Sequence, residues 1–309
     1  MTATRTLIGE FRKPRQMLGN QEYDGHLSIH DDKMAEDLGF AGAPIEGPTH
    51  FSQFVPLLHE CFGDAWFERG CISAHYQTMV VEGEEVRVMV EEVDAGKTAR
   101  ISAEKRDGTS VLIGTASIGP DYGETELDRR RAKLRAADQL VILSELSVGQ
   151  LGAGNPEQAQ MAMDQNMGAM YPFSLAQKLT KITENHTYYS HDNPWGRAVI
   201  PLEMISVLTQ YTSASAGFRT KGPAIGLFAA QEIKMINGPL LVDHPYKLER
   251  EIIALSESRR TESNWIMTRV IDAETDVLCA EVILNSATLK DSYANYRTDA
   301  AALGKDLET

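Results

Sequence analysis

The chain has 309 residues, 42% hydrophobic and 24% charged, with a formal net charge of −14. That length suits two ordinary domains or one large one, and so acidic a balance excludes nucleic-acid binding by bulk electrostatics. No apolar run of about 18 residues occurs, so no transmembrane helix is expected. The opening MTATRTLIGEFRKPRQ lacks the apolar core of a secretory signal.

In chain order, the first dense stretch is SIHDDKMAEDLGFAGAPIEG, Ser28–Gly47. Asp31 and Asp32 precede KMAEDLGF as helix-start residues, placed where carboxylates favour a helix dipole. Next comes GPTHFSQFVPLLHECFG, in which Phe51, Phe54, Val55, Leu58 and Phe62 share one helical face. Gly63 reads as the stop, and Pro56 as a kink if it lies inside. Extended stretches follow at Ala74–Val81, Glu84–Val93, Ala99–Lys105 and Thr109–Gly119, with Val86, Val88 and Val90 alternating as in a half-buried strand. The basic run Arg129–Arg135 reads as a solvated helix face. Cys61, Cys71 and Cys279, with no CxxC, give neither a disulfide framework nor a zinc site and fit a reducing cytoplasm. The loop ENHTYYSHDNPWG gathers Glu184, His186, His191 and Asp192. His186 and His191 stand five apart amid turn formers, so no metal site is expected.

The order then repeats. A second apolar helix begins near Ala198, with Met204, Leu208 and Tyr211 on one face and Gly217 closing it. Four extended stretches follow, 226–235, 245–258, 264–272 and 276–289. Aligning Ile45 with Val199, and Met79 and Gly83 with Met235 and Gly238, gives an offset of about 155 residues, the mark of an internal duplication. An apolar helix followed by antiparallel strands implies a sheet wrapped around the helix.

The residues Ile29-His30, Asp32, Ala35, Gly39-Phe40 and Ile45-Glu46-Gly47 resemble the hydratase/dehydratase signature of the MaoC-like family. That resemblance implies an α+β tandem (double) hot-dog, each half an antiparallel sheet wrapped around a central helix. The halves fall at 1–125 and 171–309, joined by a helical linker, 126–170. It further implies a cytoplasmic hydro-lyase that adds water to a 2-enoyl thioester of coenzyme A, or removes it from the 3-hydroxyacyl product. No cofactor or metal is needed, and a homodimer paired through free sheet edges is expected. In the family an aspartate and a histidine five positions later activate the water. Here Asp24 and His30 are the best pair, six apart, with His26 as a second candidate for the histidine. Glu46 stands where the family has histidine, either replacing it or acting as the base of a hot-dog thioesterase. Gly47 allows close backbone approach at the helix N-terminus, and His50 one turn on faces the same pocket or packs in the core. His186 and His191 are expected to help shape the acyl pocket. The alternatives to the hydro-lyase are that thioesterase and an acyl-thioester-binding protein without turnover.

Overall fold

Phe51, Phe54, Val55, Leu58 and Phe62 are all buried along helix α1 (Phe51–Phe62). Pro56 lies inside it, so the Ser52 carbonyl lacks its usual helical donor. Gly63 ends it at φ 61°, the left-handed region that glycine tolerates. The computed structural model describes residues 5–19, 21–23, 26–27, 42–135, 137 and 139–305, without the side chains of 22, 23, 26 and 27. Asp24 and His30 therefore lie outside the described residues, and His26 is described in its backbone alone.

The other helices are short: α2 (Ala65–Arg69), α3 (Glu126–Arg131), α4 (Leu175–Leu179), α5 (Leu202–Gln210) and α6 (Tyr296–Ala302). The strands are β1 (Thr6–Ile8), β2 (Glu22–Tyr23), β3 (His26–Leu27), β4 (Gly70–Tyr76), β5 (Val86–Asp94), β6 (Thr98–Lys105) and β7 (Ser110–Ile118). They continue with β8 (Glu157–Ala159), β9 (Gly226–Met235), β10 (Tyr246–Glu257), β11 (Thr261–Asp272) and β12 (Leu278–Leu289). β2 and β3 pair with each other, and the rest form one antiparallel sheet in the order β1-β5-β6-β7-β4-β9-β12-β11-β10-β8. The order mirrors itself about the β4–β9 seam, where Cys71 to His75 pair with Lys234 to Ala230. Helices α1 and α5 touch each other and share one apolar core against this sheet. Both sheet edges are three-residue strands.

Several expectations shift. β4 runs from Gly70 to Tyr76 rather than from Ala74 to Val81. Its start is fixed by Gly70, where a Cβ would collide with the Trp66 carbonyl. The repeat is also re-registered. Ile45 N–H donates to the Val80 carbonyl at 2.8 Å, and Ile200 N–H to the Leu240 carbonyl at 2.9 Å, so Ile45 matches Ile200 rather than Val199. Gly83 (φ 97°) then matches Asp243 (φ 59°), each in the turn that leads into a long strand, and not Gly238. Within 126–170, expected to be helical, α3 is the one helix among the described residues. Its capping box is complete: Thr125 Oγ1 accepts from Asp128 N–H at 3.1 Å and Asp128 Oδ2 accepts from Thr125 N–H at 3.2 Å. Arg129 and Arg130 turn back to Glu126 at 3.2 and 2.8 Å, as a solvated face does. Beyond it, the buried Glu262 carboxylate accepts the N–H groups of Val141, Ile142 and Leu143 at 2.8, 2.9 and 3.0 Å, donors that a helix would use internally. The segment instead packs Val141, Ile142 and Leu143 against Ile252, Tyr293 and Tyr296.

Candidate active site

Glu46 directly precedes a short 3-10 turn, Gly47–His50, that feeds into α1. Its position is set by the chain before it, since the bridge of Pro44 to Val81 fixes Ile45 and delivers the next residue to the helix mouth. Tyr171, fully buried, donates its hydroxyl to Glu46 Oε1 at 3.2 Å. Burial pushes the Glu46 carboxyl up to about 7; the Tyr171 hydrogen bond and the Lys178 ammonium pull against this, and the Glu203 carboxylate adds to it. Glu46, Thr49, Lys178 and Glu203 line one void, with Met204 and Val207 beside them. The void has room for about one water. A carboxyl raised towards neutrality beside a void that admits a water can take or give a proton at physiological pH.

Lys178 Nζ lies 3.6 Å from Glu203 Oε1 and donates to the Arg15 carbonyl at 3.1 Å. Burial raises the Glu203 carboxyl to about 7 against the pull of Lys178. Tyr171, Lys178 and Glu203 escaped the sequence reading. The available signal was a lone carboxylate in the apolar helix LEMISVL, where burial demands a partner.

The remaining candidates separate. Gly47 is needed by the protein itself, since a Cβ there would collide with the Tyr76 ring. His50 is buried, its Nδ1 has no partner, and burial together with Lys105 lowers it to about 4, so it is a neutral core histidine. His186 meets His59 in the last turn of α1, roughly 12 Å along the helix axis from its start. Tyr188 N–H donates to His186 Nδ1 at 3.1 Å, which places the proton of the neutral ring on Nε2. That nitrogen is 3.2 Å from His59 Nδ1, and His59 Nε2 is 3.1 Å from Asp64 Oδ1. Both ring nitrogens of His186 are thus engaged. His191 is exposed in a turn. An apolar void on another face of α5 is lined by Val55, Phe67, Tyr189, Leu202 and Ile205.

No protein-family model matches the sequence, and no curated protein sequence matches it. The fold does have counterparts. A protein from Chloroflexus aurantiacus J-10-fl, assigned to the MaoC domain dehydratases, superposes with a TM-score of 0.55 at 13% identity, over 94% of this chain and 95% of that one. The chain has a MaoC-like hot-dog fold. Two further hot-dog and dehydratase structures match more loosely. Rv0216 of Mycobacterium tuberculosis, described as a double hot-dog, gives a TM-score of 0.49 at 11% identity over 84% of this chain and 86% of that one. The dehydratase domain of PpsC from the same organism, solved with C12:1-CoA, gives 0.44 at 10% identity over 93% and 94%.

Within this hot-dog, one other group of potential ligand atoms is close-set among the described residues: His244, Asp272 and Glu274. His244 Nε2 is 2.7 Å from Asp272 Oδ2, while Arg197 Nη1 approaches His244 Nδ1 at 3.2 Å. Burial raises the Asp272 carboxyl, but hydrogen bonds from His244 and from the Thr275 and Glu274 N–H groups outweigh it and hold it down at about 2. With a guanidinium on one nitrogen and a carboxylate on the other, the histidine belongs to a hydrogen-bonded network rather than to a cation cage.

Proposed function

We propose that the chain is a hydro-lyase acting on 2-enoyl or 3-hydroxyacyl thioesters, coenzyme A esters in the first place, with Glu46 as an acid–base group. The observation that carries this reading is the position of the Glu46 carboxyl, at the mouth of the central helix, hydrogen-bonded by Tyr171 and lining a void with room for about one water. The hot-dog fold, similar to that of a protein assigned to the dehydratases, supports it. So does the motif around His30, with Asp24 and His30 as the pair it supplies upstream. In this reading the hot-dogs are 1–125 and 171–309, joined by 126–170, which lends the second half its edge strand β8, and the site lies where they meet.

Hydration of crotonyl-CoA and of a panel of longer enoyl-CoA esters tests this. Glu46→Gln is expected to lower kcat by about 10²–10⁴-fold, the usual worth of a positioned acid–base group. Wild-type protein inert across the panel, or a Glu46→Gln variant with unchanged rate, would sink it. The same water beside the same carboxylate also suits thioester hydrolysis, the second reading, whose signature is free thiol released from saturated acyl-CoA. Thermal stabilisation by acyl-CoA without any turnover would point to a binding protein.

A further inference from the structure

Glu203 is at the second position of α5 and 3% exposed, and neither of its carboxylate oxygens has a hydrogen-bond partner. A carboxyl so buried is held at a penalty unless something completes its surroundings. Lys178, at 3.6 Å, supplies charge without a hydrogen bond. What remains within reach is the Ser52 hydroxyl, itself unpartnered, and the one-water void that Glu203 lines together with Glu46. One carboxyl arrives from the mouth of α1 and the other from the mouth of α5, so each side of the mirrored sheet contributes one.

We propose that Glu203 and Glu46 share one proton and one water across this void, and that Glu203 is the second catalytic residue of the site. The catalytic part rests on the hydro-lyase reading above. The groups facing the pair assign the roles. Lys178 lies 3.6 Å from Glu203 and favours its carboxylate, while on Glu46 the Tyr171 hydrogen bond favours the carboxylate ahead of Lys178, and the Tyr76 phenol lies nearby. Ser52 and Tyr189 complete the surroundings of Glu203. The ammonium closest to Glu203 selects it as the base, which leaves Glu46 as the acid in the proposed step. In hydration, the Glu203 carboxylate takes a proton from the water as the water oxygen bonds to Cβ of the enoyl thioester. The electron pair of the C=C bond moves to Cα, which takes the proton from Glu46. The pair ends with one proton, now on Glu203, and its return to Glu46 resets the site. Dehydration runs the same steps backwards.

The test is a ¹³C NMR titration of glutamate carboxyl groups in the full chain, beside the pH profile of enoyl-CoA hydration. In wild type, two carboxyls should titrate near neutrality in coupled steps. Glu203→Gln should move the Glu46 titration down towards the ordinary carboxylate range, lower kcat by about 10²–10⁴-fold with KM little changed, and remove one limb of the pH profile. If Glu203→Gln fails to fold, Glu46→Gln provides the reciprocal measurement, a downward shift of Glu203. A Glu46 titration unchanged by Glu203→Gln overturns the shared-proton site. Coupled titration in a chain inert towards every enoyl thioester overturns the hydro-lyase reading and the catalytic role with it, and leaves the shared-proton pair standing.

Discussion

Protons at individual side chains tie the candidate site to stability. Glu46 and Glu203 titrate at about 7 in the folded chain against an ordinary 4.5. Between those values the folded state holds more protons than the unfolded one. Their contribution is full below pH 4.5 and is lost as pH rises through about 7. His50 works the other way: at about 4 folded against 6.5, its contribution is full above 6.5 and is lost as pH falls towards 4. Glu46→Gln removes one of the two carboxylate slopes and leaves His50 alone. The variant should therefore gain on wild type as pH rises from 4.5 to 7, with the difference level above that. Urea midpoints measured at pH 4.5, 6, 7 and 8 check this, and a flat difference across the series would refute it. At this scale the sequence was half legible. Glu46 and Gly47 stood out because a motif frames them. The reason Gly47 must be glycine did not, since Tyr76 is 29 residues further along and reaches it through the sheet. Tyr171 and Lys178 were hidden for the same reason, as long-range partners of Glu46 and Glu203.

Among elements, those governed by local periodicity were readable. The α1 stripe and the buried alternation of Val86, Val88 and Val90 follow from spacing alone. Elements held by distant charges were not. β8 is three residues long and owes its place to Glu157, whose carboxylate is gripped by Arg250: Nε to Oε1 at 2.8 Å and Nη2 to Oε2 at 2.9 Å. The same guanidinium donates to Thr268 Oγ1 and to the Thr209 carbonyl near the end of α5, so one buried side chain joins β8, β10, β11 and α5. Arg250→Met would leave Glu157 charged, buried and without its main partner. The expected loss is about 3–5 kcal/mol, the usual result of breaking a buried pair from one side. Arg250→Met combined with Glu157→Leu should recover much of that, because the stranded charge is gone. Chemical denaturation of the two variants checks the pair, and a double variant no more stable than the single one would contradict the argument.

For the molecule as a whole, the repeated order of elements was legible but its consequence was not. The repeated order of helix and strands predicted two similar halves, whereas the main-chain seam between β4 and β9 makes them one sheet. Ile72 and Ile233 face each other across that seam, both essentially unexposed, inside the core shared by α1 and α5. A continuous ladder and a common core leave neither half a surface at which to unfold alone, so the chain should unfold in a single transition. Tryptophan fluorescence can read each side separately, since Trp66 lies on the β4 side of the seam and Trp265 on β11. Variants that keep one or the other are expected to give coincident urea curves. Ile72→Ala deletes seam packing, costs about 2–5 kcal/mol as large-to-small core substitutions do, and should move both reporters by the same amount. A shift confined to the Trp66 curve would mean that the seam joins two independently stable bodies, and a site that needs Glu46 and Glu203 together would then depend on their docking rather than on the fold of a single unit.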